Sequence, residues 1–200
     1  MKMRIIFTSL LILISIFVSP KQLVNMSLDV RIVNQDTTRF TDSRDGKTYK
    51  TVKIGNQIWM AENLNFKTSK GSWCYDGKNL NCNEFGRLYD CETAKTVCPD
   101  GWHLPSESEF KTLLRYVESN GTNVFNDLVM DGNSGFSALL GGRRYSDNEC
   151  TSLGDFGHFW SSSASDFSRA WSLLVYKHTE TVNMRSSFTS IGYSVRCVKD

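Results

Sequence analysis

The sequence predicts an α+β domain, with two helices packed on short antiparallel strands, long irregular loops and disulfide staples. Three observations predict it. A β-hairpin pattern fills residues 40–61, two helix patterns follow at 90–98 and 106–119, and several short strand patterns fill the last third. Helices segregated from strands in this way differ from an alternating α/β sheet. All six cysteines lie after residue 73, and in a chain that leaves the cytoplasm an even count suggests a disulfide framework. Hydrophobic residues make up 40% of the 200 and aromatics 12%, enough for a core.

The chain begins with Lys2 and Arg4, followed by an apolar stretch of fourteen residues from Ile5 to Val18. A basic start and a stretch shorter than the roughly 20 residues of a membrane helix indicate a signal peptide over residues 1–19. Ser19 is small, but Pro20 follows it and no Ala-x-Ala pattern is present. An uncleaved N-terminal anchor is the alternative, and it is the only membrane contact the sequence suggests. Residues 20–38 form a spacer, with an edge strand at most around Val30 to Val33, and the domain runs from 39 to 200.

Asp45-Gly46 is a turn signal, Lys47 to Ile54 is strand-forming, Gly55-Asn56 turns the chain and Gln57 to Ala61 returns. Asp90 can cap a short helix that Pro99 ends. Ser106 and Glu109 make a capping box, and Phe110, Leu113, Leu114 and Val117 form one apolar stripe before Asn120-Gly121. Phe136 to Leu140 precedes Gly141-Gly142. Strands are expected at Phe159 to Ser163, Arg169 to Tyr176, Thr181 to Arg185 and Tyr193 to Val198. No internal repeat is visible.

Charge excludes one class of partner. The chain has 23 Lys+Arg and 21 Asp+Glu; without Lys2 and Arg4 the balance is 21 to 21. A neutral domain lacks the cationic surface on which nucleic-acid affinity rests. The cysteines Cys74, Cys82, Cys91, Cys98, Cys150 and Cys197 are separated by 8, 9, 7, 52 and 47 positions. The close pairs of a zinc site are absent. Sequence pattern alone favours one pair, Cys74 with Cys82, which bracket the turn-rich loop from Tyr75 to Asn81.

Ala94, Cys98, Gly101 and Leu104, then a capped helix and a lone Cys197 near the end, form an order that resembles the C-type-lectin-like fold. The segment Gly101 to Phe110 and the ending Gly192 to Val198 resemble its formylglycine-generating, sulfatase-modifying branch. A closer resemblance, over residues 39–200, is to the Fibrobacter succinogenes major paralogous domain. It rests on Asp45-Gly46-Lys47, Ile54-Gly55, Gln57, Trp59-Met60-Ala61-Glu62-Asn63-Leu64, Gly86-Arg87-Leu88-Tyr89, Cys98-Pro99, Gly101-Trp102-His103-Leu104-Pro105, Gly135 to Gly142, Phe159 to Ser163 and Ser194 to Val198. The resemblance implies a bacterial, exported, functionally uncharacterised domain attached to surface or secreted proteins, and a Cys98–Cys197 disulfide. Where the family usually has Trp this chain has Cys91, and Cys150 is a further addition. Two extra cysteines are expected to pair as Cys91–Cys150.

Asp131-Gly132-Asn133-Ser134-Gly135 looks like a serine-protease signature, but Asn133 replaces its aspartate and the chain has three histidines only. A triad needs a base oriented on the serine, so a turn is expected. Formylglycine chemistry needs copper-binding cysteines, and here the cysteines read as disulfides. The Glu-Pro-Asn and Trp-Asn-Asp runs of calcium-dependent lectins are absent, and Asp147-Asn148-Glu149 reads as a solvated loop. Most tryptophans are expected in the core. Trp73 and Tyr145, with Arg143, Arg144, Asp166 and Arg169 as polar partners, are the candidate ligand-binding residues.

The expectation is a non-catalytic binding or adhesion module, secreted or at the cell surface, without a cofactor, whose ligand is a glycan or a surface protein. The alternatives are an enzyme with an unrecognised site and a structural envelope protein.

Overall fold

The computed structural model describes residues 38–121 and 123–200. The signal peptide or anchor expected over 1–19, and nearly all of the spacer over 20–38, lie outside them.

A first sheet has the order β1-β2-β3-β13-β6, from Thr38–Thr41 (β1), Thr48–Ile54 (β2), Gln57–Met60 (β3), Trp102–His103 (β6) and Val198–Lys199 (β13). The expected hairpin is β2–β3, with Val52 opposite Trp59 and Gly55-Asn56 between the strands. A second sheet has the order β11-β10-β9-β12-β5-β4. Its strands are Ser72–Trp73 (β4), Leu88–Tyr89 (β5), Phe156–Ala164 (β9), Arg169–Tyr176 (β10), Thr181–Phe188 (β11) and Tyr193–Ser194 (β12). β12 runs parallel to β9, with Ser194 opposite Phe159. Arg143–Arg144 (β7) and Cys150–Thr151 (β8) pair as a short separate hairpin.

The expected α+β layout of two helices on short strands, in the C-type-lectin-like manner, is not what forms. Strand accounts for 36% of the structure and helix for 20%, in three sheets. The described residues contain four α-helices: Asn79–Phe85 (α1), Cys91–Ala94 (α2), Glu107–Asn120 (α3) and Val124–Leu128 (α4). Only α3 exceeds two turns. The reason lies in strand length. β9, β10 and β11 are nine, eight and eight residues long and pair over almost their full length, whereas the helix expected over 90–98 is a single turn. That turn buries only Cys91 and Ala94. The chain then leaves it and carries Cys98 to Cys197.

α3 forms where local signals place it. The Ser106 hydroxyl accepts from the Glu109 N–H, and the Glu109 carboxylate accepts from the Ser106 N–H at 2.7 Å. Phe110, Leu113 and Val117 are buried and Leu114 packs beside them. They meet Val52, Ile54 and Trp59 of the first sheet and Phe159, Leu173 and Val175 of the second. The core thus lies between the two sheets and is closed by α3. A second buried cluster holds Tyr49, Met60, Leu64, Trp102, Trp160 and Tyr193. Burying each large side chain contributes about 1.5–3 kcal/mol. Trp59, Trp102 and Trp160 are core residues, as expected; Trp73 and Trp171 are half-buried.

Two disulfides are present, Cys74–Cys82 and Cys98–Cys197. Cys91 and Cys150 are not bonded, which corrects the expected Cys91–Cys150 pair. Cys91 is 0% exposed in the second cluster, where α2 packs on β9. Cys150 sits on the β7–β8 hairpin, with its sulfur accepting from the Asp76 N–H at 3.4 Å. Separate elements hold them apart. Burial pushes the Cys91 thiol up to about 11, so it is protonated at neutral pH.

Candidate aromatic–guanidinium site

The site is built around β7. Gly142 has φ +68°, and a Cβ there would lie 2.6 Å from the Thr151 carbonyl oxygen, so only glycine fits. Bridges Gly142–Gly157 and Arg144–Gly192 seat the hairpin between β9 and β12. Side chains alternate along a strand, which sends Arg143 and Tyr145 to one side and Arg144 to the other.

The six candidate residues come together as three separate pairs. The Arg144 guanidinium lies 4.0 Å from the Trp73 ring centroid, donates to the Tyr145 carbonyl at 3.4 Å and also bonds the Asn148 side chain. Arg143 lies 5.0 Å from the Tyr145 ring and 5.6 Å from Phe156, and donates to the Thr151 hydroxyl at 3.2 Å. Asp166 and Arg169 pair at 3.9 Å at the β9–β10 turn, where Arg169 covers Phe188 at 4.2 Å. That turn is not part of the hairpin site. Trp73, Arg143, Arg144 and Tyr145 are all half-buried, so they are held in place yet reachable. Cation–π contacts of this kind contribute about 0.5–1 kcal/mol at exposed sites.

The Arg143 side opens onto a row of rings that the sequence reading did not single out. Phe156 and Tyr176 stack across β9 and β10 at 4.1 Å with planes 1° apart. His158 stacks on Tyr193 at 4.2 Å and lies 5.9 Å from Phe156. Tyr193 in turn meets Trp160 at 4.6 Å. His158 is 5% exposed. Burial first, then the Arg143 and Arg185 charges, pull its pKa down to about 3, so the imidazole is neutral. The available signal was period-two alternation: 156, 158 and 160 on β9 are Phe, His and Trp.

The other chemistries resolve into structure. Ser134 donates to the Asp127 carbonyl and Asn133 to the Asp127 carboxylate, which makes the Asp131 to Gly135 segment a turn. In the Asp147–Glu149 loop, Asp147 accepts from the Glu149 N–H at 3.0 Å. Among the described residues no group of three or more His, Cys, Asp and Glu is placed to hold a metal ion. A groove of about 490 Å³ elsewhere is lined by Arg39, Lys50, Glu62, Glu84 and Asp131, and its mixed charges select no ligand sign.

Residues 52–199 match the model of the Fibrobacter succinogenes major domain. The chain belongs to that family. Neither a curated protein nor a solved structure matches it. Two blocks that carry the Fibrobacter major-domain resemblance meet inside the molecule. Arg196, 0% exposed, donates to the Asn63 side chain at 2.7 Å and to the carbonyls of Met60, Phe136 and Ser137. Asn63 donates to the Phe85 carbonyl at 2.8 Å and the Ser194 hydroxyl at 3.2 Å. These residues of the major domain are a buried scaffold, while the aromatic–guanidinium side chains sit on its surface. Family and disulfides together fit an extracellular module.

Proposed function

We propose that this chain is an exported, non-catalytic binding module of the bacterial surface or the secreted fraction, and that it engages a glycan or a surface protein through the hairpin site. One observation carries the reading. Arg143 and Arg144 each lie over an aromatic ring, and neither has a carboxylate partner among the described residues. Guanidinium and aromatic groups held on a rigid base recur at recognition surfaces. The Cys74–Cys82 disulfide adjoins Trp73 and supplies that rigidity.

The test is a binding screen of the purified oxidised protein against soluble glycans, insoluble plant polysaccharides and envelope proteins, with calcium and with chelator. We expect saturable binding that weakens about tenfold in Trp73→Ala or Tyr145→Ala. Binding unchanged in both variants would remove the hairpin as the site. No binding across the panel would favour a structural envelope role.

A further inference from the structure

His158 presents a chemical deficit. Neither ring nitrogen has a hydrogen-bond partner among the described residues, although the side chain is 5% exposed. A neutral imidazole carries one N–H donor and one acceptor nitrogen. Buried polar groups nearly always find partners, and an unmet one opposes folding. The charges that act on this ring are cationic, Arg143 and Arg185. Arg185 is exposed on β11, and its Nε donates to the Asn183 side chain at 3.1 Å. Register places it on the His158 side of the sheet: Trp160 faces Ser172, and Ser172 faces Arg185. Neither arginine has a carboxylate partner among the described residues. The two cations that act on this ring are therefore not balanced by a carboxylate bonded to them.

We propose that this face, between the β7–β8 hairpin and β11, binds a carboxylate-bearing polysaccharide. Arg143 and Arg185 hold the carboxylate beside the buried His158 ring, and the half-buried Phe156–Tyr176 pair borders the sugar ring. The inference rests on the binding-module reading and names its ligand. A guanidinium fork matches a planar carboxylate in bidentate geometry. The domain is neutral overall, with 21 basic and 21 acidic groups beyond Arg4, so two cations select by geometry rather than by bulk charge. A highly sulfated polymer, which rewards dense positive charge, is the poorer fit.

The test titrates the purified oxidised protein with oligogalacturonate, with its methyl ester, with a neutral glucan oligomer and with a sulfated glycan. The acid is expected to bind, and esterification to weaken binding about tenfold or more, the loss of one charge-assisted contact. Arg185→Gln is expected to weaken the acid by a similar factor. Arg185 is exposed, so its circular dichroism and melting should match the parent. The ¹⁵N resonances of the His158 ring should shift on binding. Equal affinity for acid and ester, preference for the sulfated polymer, or full affinity in Arg185→Gln and Arg143→Gln would each overturn the inference. Glucan binding that needs Trp73 but not Arg185 would overturn it while leaving the binding-module reading intact. Absence of any ligand would remove both.

Discussion

Arg196 illustrates how one residue can hold two sheets. Its guanidinium is fully buried and lies 4.6 Å from the Phe136 ring, with Asn63 and three backbone carbonyls as acceptors. Burial lowers its pKa, yet a guanidinium keeps its proton at neutral pH. Backbone dipoles and the Asn63 amide oxygen take the place of a carboxylate. Arg196→Met would leave four acceptor oxygens without this donor in a dry interior. We expect a loss of about 1–3 kcal/mol or more in urea unfolding, the cost of buried acceptors left unsatisfied, and a loss well below about 1 kcal/mol would show that water replaces the donor. Asn63 and Arg196 are visible in the sequence as parts of two separate blocks. Their contact is not, because 133 positions separate them.

Among the elements, α3 and the β2–β3 hairpin were legible because their signals are local: a capping box, a 3.6-residue stripe and a Gly55-Asn56 turn. α1 was hidden because it buries only Cys82. A helix with so little apolar face leaves no periodic trace. His103 on β6 ties elements together. Its ring nitrogens pair with Asp200 at 2.6 Å and with Glu109 of α3 at 2.8 Å. Burial opposes the imidazolium, but the hydrogen bonds to both carboxylates outweigh it and raise the pKa above 6.5. A raised folded-state pKa means stabilisation that is complete below about 6.5 and is lost as pH rises through the folded value. The ring is partly exposed, so solvent damps the effect. We expect the melting temperature to fall between pH 6 and pH 8, and to fall less in His103→Gln. Equal slopes in parent and variant would show that the clamp contributes nothing.

At the scale of the whole molecule the two disulfides do unequal work. Cys98–Cys197 spans 99 positions and Cys74–Cys82 spans 8. In the loop-entropy account the long closure constrains the unfolded chain more, by about 2 kcal/mol. Removing Cys98 and Cys197 together as serines should cost that much more in denaturant unfolding than removing Cys74 and Cys82. A reversed order would place the stabilisation in the folded state, at the Trp73 loop.

The amino-acid sequence by itself determined the family, α3, the β2–β3 hairpin and the cores of β9, β10 and β11, because turns, caps and periodicity act over a few residues. It also carried the correct expectation that most tryptophans pack inward. Only the tertiary structure decided that strand outweighs helix, that β12 lies parallel to β9, and that Cys91 and Cys150 stay apart. It likewise decided that the candidate residues split into pairs and that His158 lies near two arginines that have no carboxylate partner among the described residues. These are long-range facts. Strand partners and the far side of a sheet are set by which distant segments bury surface together, and no window along the chain contains both members of such a pair.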